Sequence, residues 1–172
     1  MSKTLVIYYS RKGNNYTSSG IRNLVKGNTK IVAEYIRDAV GADLFEVDTV
    51  VPYSTDYTMC TKEAQIELRD DVRPELKAYL DDISTYDNIV VAGPCWWGTY
   101  PCAVFTQLEK LDFSGIQVFA VMTHEGSGQG QSVAALQQYC RGATHGTPLA
   151  IRGSEAAISR DKVIAWARQN LV

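Results

Sequence analysis

Three short stretches of this 172-residue chain hold residues whose types and spacing could do chemistry. The first joins Tyr8-Tyr9-Ser10 to Gly27-Asn28-Thr29. Where such a triplet opens a helix, unpaired backbone N–H groups, the helix dipole and short hydroxyls converge, a corner suited to a phosphate dianion. An isolated Gly-Asn-Thr more often only turns and caps a chain; its place after an apolar strand is what points to an anion. The second stretch sets Cys95, Trp96, Trp97, Gly98 and Tyr100 between Pro94 and Pro101. Two adjacent indoles cannot both face one core. They suit a flat heteroaromatic ligand, with stacking worth about 0.5–1.5 kcal/mol per aromatic pair, and would equally serve as satellite core or a protein contact. Gly98 adds backbone that adopts two conformations at little cost. The third, Thr123-His124-Glu125-Gly126-Ser127-Gly128-Gln129-Gly130, could wrap a polar ring edge with backbone donors and acceptors.

Other chemistries find less support. There is no GxGxxG, no GxxxxGK[ST] and no GxSxG in the chain, so the dinucleotide fingerprint, the P-loop and the hydrolase nucleophile elbow are absent. Cys60, Cys95, Cys102 and Cys140 form no CxxC pair and share no zinc-like spacing with His124 or His145, so no metal site is expected and the cysteines read as reduced thiols. The pairs Asp70-Asp71 and Asp81-Asp82 read as solvated helix surface. No catalytic residue is assigned.

The elements that must position the three stretches alternate. Leu5–Tyr9 is a continuous apolar run of the kind buried on both faces of a sheet. Asn28 reads as the N-cap of a helix carrying Ile31, Val32, Tyr35, Ile36, Ala39 and Val40 and closed by Gly41. A second strand follows at Leu44–Val47, a loop at Val51–Met59, and helical pieces at Lys62–Asp70 and Leu76–Ile83 separated at Pro74. Asn88–Gly93 is a third strand, with Pro101 at the first turn of a helix through Val104, Phe105, Leu108 and Leu111. Ile116–Met122 is a fourth strand, Val133–Cys140 a helix, Leu149–Ile151 a weak fifth strand, and a last helix follows Ser159. This predicts one α/β domain over residues 1–172, a three-layer sandwich on a parallel sheet, whose ligands bind beyond the carboxyl ends of the strands.

In order and across most of the chain, these residues resemble the flavodoxin family. Tyr8-Tyr9-Ser10 with Gly27-Asn28-Thr29 is similar to its FMN phosphate loop, and Gly93–Pro101 and Thr123–Gly128 are similar to the two flavin-ring loops of one bacterial branch. Gly41–Val47 and Pro52–Tyr57 look like further stretches of that branch. The resemblance implies a five-stranded parallel sheet in the order 2-1-3-4-5, with one FMN at the strand carboxyl ends. By matching positions, Ser10, Asn28 and Thr29 would hold the phosphate, helped by Arg11. Pro94, Cys95, Trp96, Trp97, Gly98 and Tyr100 would line one side of the ring, and Thr123, His124, Gly126, Ser127 and Gly128 the other. The sixteen residues Arg11–Lys26 inserted into the phosphate loop depart from common flavodoxins, with Asn15 and Tyr16 the candidates there to touch FMN.

The resemblance implies electron transfer to a redox protein partner. The alternative is an FMN-dependent NAD(P)H:quinone-type oxidoreductase with a small quinone or nicotinamide substrate, and a third reading is a flavin-less interaction module. The net charge of -2 argues against nucleic acid as a partner. It also hides a dipole: residues 1–37 carry seven bases and one acid, and residues 38–61 five acids and no base. The first apolar run is too short for a signal peptide core and no stretch is long enough for a membrane span, so a cytoplasmic protein is expected.

Overall fold

A computed structural model describes residues 1–172. The central sheet is formed by β1 (Thr4–Tyr8), β4 (Asp43–Glu46), β5 (Asn88–Pro94), β6 (Gln117–His124), β7 (Thr144–His145) and β8 (Leu149–Arg152), all parallel, in the order β4-β1-β5-β6 with β7 and β8 sharing the last edge. The expected order 2-1-3-4-5 is therefore the observed one, with its fifth strand in two pieces. The break has a packing cause. A Cβ on Gly146 would overlap the Phe119 ring, so the chain passes close over that ring between the pieces, and Pro148 can offer the sheet no N–H.

Each central strand is buried on both faces, which its unbroken apolar runs demand. On one side Val6, Val90 and Val121 pack with Val32 and Ile36 of α1 (Asn28–Val40) and Val163 and Trp166 of α5 (Arg160–Asn170). On the other, Ile7, Val91 and Met122 pack with Val104 and Leu108 of α3 (Cys102–Leu108) and Leu136 of α4 (Ser132–Tyr139). No helix is long and apolar enough to cross a membrane.

Two local expectations are corrected, and the segment left without a structural reading is filled in. The Arg11–Lys26 insert contains an antiparallel hairpin, β2 (Gly13–Thr17) and β3 (Gly20–Leu24), closed by Ser18-Ser19 with Gly20 at φ 90°. Helix α2 (Tyr57–Arg69) starts inside the stretch read as a loop, where Asp56 accepts a hydrogen bond from the Met59 N–H at 2.8 Å. Leu76–Ile83 is not helical. Leu76 bridges to Thr49, its N–H donates to the Tyr79 hydroxyl, and the Gln107 side chain clamps both the N–H and the C=O of Leu80. Those tertiary bonds satisfy the backbone groups that a helix would have paired.

Candidate functional site

The three chemical stretches meet above the carboxyl ends of β1, β5 and β6, where strand order reverses between β1 and β5. The first corner is built by close approach. Gly27, not Asn28, takes the N-cap position of α1, and a Cβ there would overlap Ser10 Oγ and lie 2.7 Å from the Arg11 carbonyl oxygen. The ends of the insert thus touch, and the hairpin leaves the corner without opening it. Ser10 Oγ accepts from the Lys30 N–H at 3.0 Å, capping the helix from the far side of the insert. The N–H groups of Gly27, Asn28 and Thr29 find no partner within the protein, leaving orphan donors at the positive end of a 13-residue helix.

The side chains there face elsewhere. The Thr29 hydroxyl is buried against the Thr123 hydroxyl at 2.8 Å. The Asn28 amide lies over Gly153, where a Cβ would come within 2.6 Å of Nδ2. At this corner Asn28 and Thr29 accordingly leave free their backbone N–H groups, not their side chains. Arg11 is committed too: Nε donates to the Asn14 carbonyl at 2.9 Å and Nη2 to the Ser54 carbonyl at 2.9 Å. The basic stretch is partly neutralised, with Lys26 on Glu34, Lys30 facing Glu46 and Arg37 on Asp38, while Lys12 has no carboxylate partner. Asn15 Nδ2 donates to the Arg11 carbonyl at 2.8 Å and holds the base of the hairpin, while Tyr16 stands half exposed against Tyr57, ring centroids 6.2 Å apart.

The aromatic stretch forms a tight turn in which Trp96 and Thr99 exchange backbone hydrogen bonds. Its central residues both have positive φ, Trp97 at 55° and Gly98 at 86°. Glycine takes that conformation freely; a tryptophan there is strained by about 1–2 kcal/mol, of the sort found at binding sites. The two indoles diverge, as their adjacency requires. Trp96 packs edge-on against Tyr9 and Tyr53, at 5.1 and 5.0 Å, while Trp97 is 52% exposed and donates from Nε1 to the Thr61 carbonyl at 2.8 Å. The C=O of Trp97 and the N–H of Gly98, which belong to one peptide, make no hydrogen bond within the protein.

Tyr100 is a correction. It is fully buried, with its hydroxyl donating to the Val91 carbonyl at 2.8 Å, so it ties the turn to the sheet and lines no cleft. Pro94 and Cys95 are half-buried at the end of β5, and the Cys95 N–H donates to the Thr123 carbonyl at 2.8 Å.

The glycine loop faces this turn directly. The Gln131 N–H donates to the Gly98 carbonyl at 2.6 Å, and a Cβ on Gly130 would overlap that carbonyl. Gly126, Ser127 and Gly128 stand further out, Gly126 and Ser127 exposed. His124 Nδ1 accepts from the Gly126 N–H at 2.9 Å, which places the proton of the neutral ring on Nε2. Burial lowers its pKa below the ordinary histidine range, partly opposed by Glu125.

Glu125 is a residue that sequence reasoning missed. One of its oxygens accepts from both the N–H and the hydroxyl of Ser154, each at 2.7 Å, and the Ser154 hydroxyl in turn accepts from the Ser18 N–H at the hairpin tip. This ties the glycine loop, the short helix Gly153–Ile158 and the hairpin together. No local pattern announces a contact spanning 136 residues.

Orphan helix donors, an aromatic turn and a glycine loop gathered at the switch point of a parallel α/β sheet mark the class of α/β folds that carry their ligand site beyond the strand carboxyl ends. The chain matches the flavodoxin family model over residues 3–170, and it belongs to the flavodoxin family. Its fold recurs in a provisionally named flavoprotein of Bacteroides uniformis (26% identity, 97% of this chain and 98% of that one, TM-score 0.77). A provisionally named flavoprotein of Bacteroides eggerthii is as similar (25% identity, 100% and 99%, TM-score 0.78). A Lactobacillus acidophilus flavoprotein solved in complex with FMN shares the fold at 21% identity, over 92% and 98% of the chains, with TM-score 0.65. No curated protein matches the chain.

Proposed function

We propose that this flavodoxin-family protein holds one FMN non-covalently and passes electrons to and from a redox partner. The observation that carries this reading is the three unpartnered N–H groups of Gly27, Asn28 and Thr29 at the start of α1, beside a strained aromatic turn with an unpaired peptide. The FMN phosphate would sit on those donors, and the isoalloxazine against the turn at Trp96–Thr99 and the loop at His124–Gly130, which touch at Gly98 and Gly130. The group fits this frame: Gly27, Gly130 and Gly153 keep open, by lacking a Cβ, the close approaches that shape it.

When bound, FMN supplies one- and two-electron transfer. The chain orients the ring, offers its polar edge the Trp97–Gly98 peptide and the glycine-loop N–H groups, and keeps water from one face with the indoles. The paired state of Lys26 and Lys30 counts against direct capture of a nicotinamide phosphate, which favours a carrier over an NAD(P)H-oxidising enzyme. The test is the visible spectrum of the purified protein and of apoprotein titrated with FMN, followed by mixing with NADPH. Flavin bands and no rapid reduction by NADPH are expected. A colourless protein that takes up no FMN rejects the reading, and rapid bleaching by NADPH replaces the carrier with a reductase.

A further inference from the structure

Beside the indole pair lies a second pocket of about 290 Å³, bounded by α2 and the aromatic turn and by no residue of the glycine loop. Tyr57, Cys60 and Ala64 form its helical wall, Trp96 and Trp97 the opposite one, and Arg11 closes an edge. The Trp97 indole spans the two walls, anchored by its Nε1 donation to the Thr61 carbonyl, which also occupies an acceptor at the rim.

The volume lies just below the roughly 300–1,000 Å³ of small-molecule sites, room for one or two fused rings and too little for a dinucleotide. Its polar groups are donors. Burial raises the Cys60 thiol to about 11, so it stays protonated, and burial likewise raises the Tyr57 hydroxyl. The Arg11 guanidinium lies against Cys60, whose pKa it pulls down against burial, its Nη1 group has no oxygen acceptor within the protein, and no carboxylate lines the pocket. Aromatic walls select a flat ring. Donors without a carboxylate select a ligand whose polar atoms accept hydrogen bonds and which carries no positive charge.

We propose that this pocket is a second small-molecule site, taking a planar conjugated ring of the quinone class whose carbonyl faces Arg11. It rests on the flavin reading in one respect: Trp97 then stands between this ring and FMN, giving the cofactor a small-molecule acceptor as well as a protein one.

The probe is duroquinone, whose fully substituted ring gives Cys60 and Cys95 no position to add to. Calorimetric titration of apoprotein and FMN-loaded protein is compared between wild type and Ala64→Phe, which fills the pocket from α2. Duroquinone is expected to bind both wild-type forms and to bind the variant at least tenfold more weakly, with FMN affinity within twofold. Absent binding to wild type, or equal binding to the variant, overturns the proposal. A parallel loss of FMN affinity also overturns it, because the pocket would then be the flavin's own. Should Ala64→Phe not fold, thiol-alkylation mapping on wild type decides: duroquinone slows labelling of Cys95 if the site is real, and unchanged labelling overturns it. Wild-type protein that takes up no FMN sinks the flavin reading, and the apoprotein titration still decides the pocket.

Discussion

Gly27→Ala tests whether the phosphate corner depends on the absence of one methyl group. The backbone at Gly27, φ -65° and ψ 149°, suits alanine, so restricting the unfolded chain should stabilise the variant by about 0.4–1 kcal/mol. Against that, the new Cβ would overlap Ser10 Oγ and press to 2.7 and 2.9 Å on the carbonyl oxygen and carbon of Arg11. The serine can rotate away at the loss of its bond to the Lys30 N–H, a cap worth about 1 kcal/mol. The carbonyl cannot, and overpacking of this kind costs about 1–3 kcal/mol. The expected net destabilisation is about 2 kcal/mol, or a fall of about 4–8 °C in melting temperature for a chain of this size. Moving the first turn of α1 also displaces the orphan donors. FMN should then bind about tenfold more weakly or worse, one charge-assisted hydrogen bond being worth about 1.5–3 kcal/mol, while riboflavin, lacking the phosphate, should change by less than about threefold. Flavin-fluorescence titrations with both ligands, alongside thermal melts, read these effects. In a Ser10→Ala background the same substitution should cost less, since one of the two clashes is gone. Wild-type stability with wild-type FMN affinity would refute the reasoning, and equal losses for FMN and riboflavin would refute the assignment of the corner to the phosphate.

Two further substitutions separate structural from ligand roles. Tyr100→Phe removes the hydroxyl bonded to Val91 and should cost about 1–2 kcal/mol in chemical denaturation with FMN affinity unchanged; a selective loss of FMN binding would return Tyr100 to the cofactor site. His124 is held neutral by burial and by the bond its Nδ1 accepts from Gly126, so its folded pKa lies below the unfolded value of about 6.5. The stability it contributes is therefore present above pH 6.5 and lost as pH falls through the folded value. His124→Asn, whose side-chain oxygen can accept from the same N–H, should flatten the decline in melting temperature between pH 7 and 5, and a slope equal to wild type would remove His124 as its cause.

What was legible in the sequence follows from where the signal is local. The strands Thr4–Tyr8, Asn88–Pro94 and Gln117–His124 are read correctly because burial on both faces leaves unbroken apolar runs. The hairpin leaves no such trace. Its Gly-Asn-Asn-Tyr-Thr and Gly-Ile-Arg-Asn-Leu arms bury almost nothing and are held by polar bonds from Asn15, Arg11 and Thr17. Leu76–Ile83 fails for the opposite reason: its apolar spacing is genuine, but the nearby Tyr79 hydroxyl and the distant Gln107 side chain satisfy its backbone. At the site, the three stretches come together at the strand ends, and the directions of their side chains are what sequence leaves open. Sequence puts Asn28, Thr29 and Tyr100 at the corner and the turn, while only packing decides that two of these side chains face Gly153 and Thr123 and the third the sheet.

The same distinction changes the meaning of the charge. Seven bases among the first 37 residues suggest an open basic surface for an anionic substrate. In the fold, Lys26, Lys30 and Arg37 are paired with Glu34, Glu46 and Asp38, while Arg11 keeps its charge on loop carbonyls and Lys12 lines the cleft without a carboxylate partner. Surface pairs of this kind add little stability, about 0–1 kcal/mol each. Their larger effect is to weaken long-range attraction toward the cleft, so that the proposed phosphate contact rests chiefly on the backbone donors of α1. A phosphate held there would be bound by fit more than drawn in by field, which would suit a resident cofactor better than a passing one.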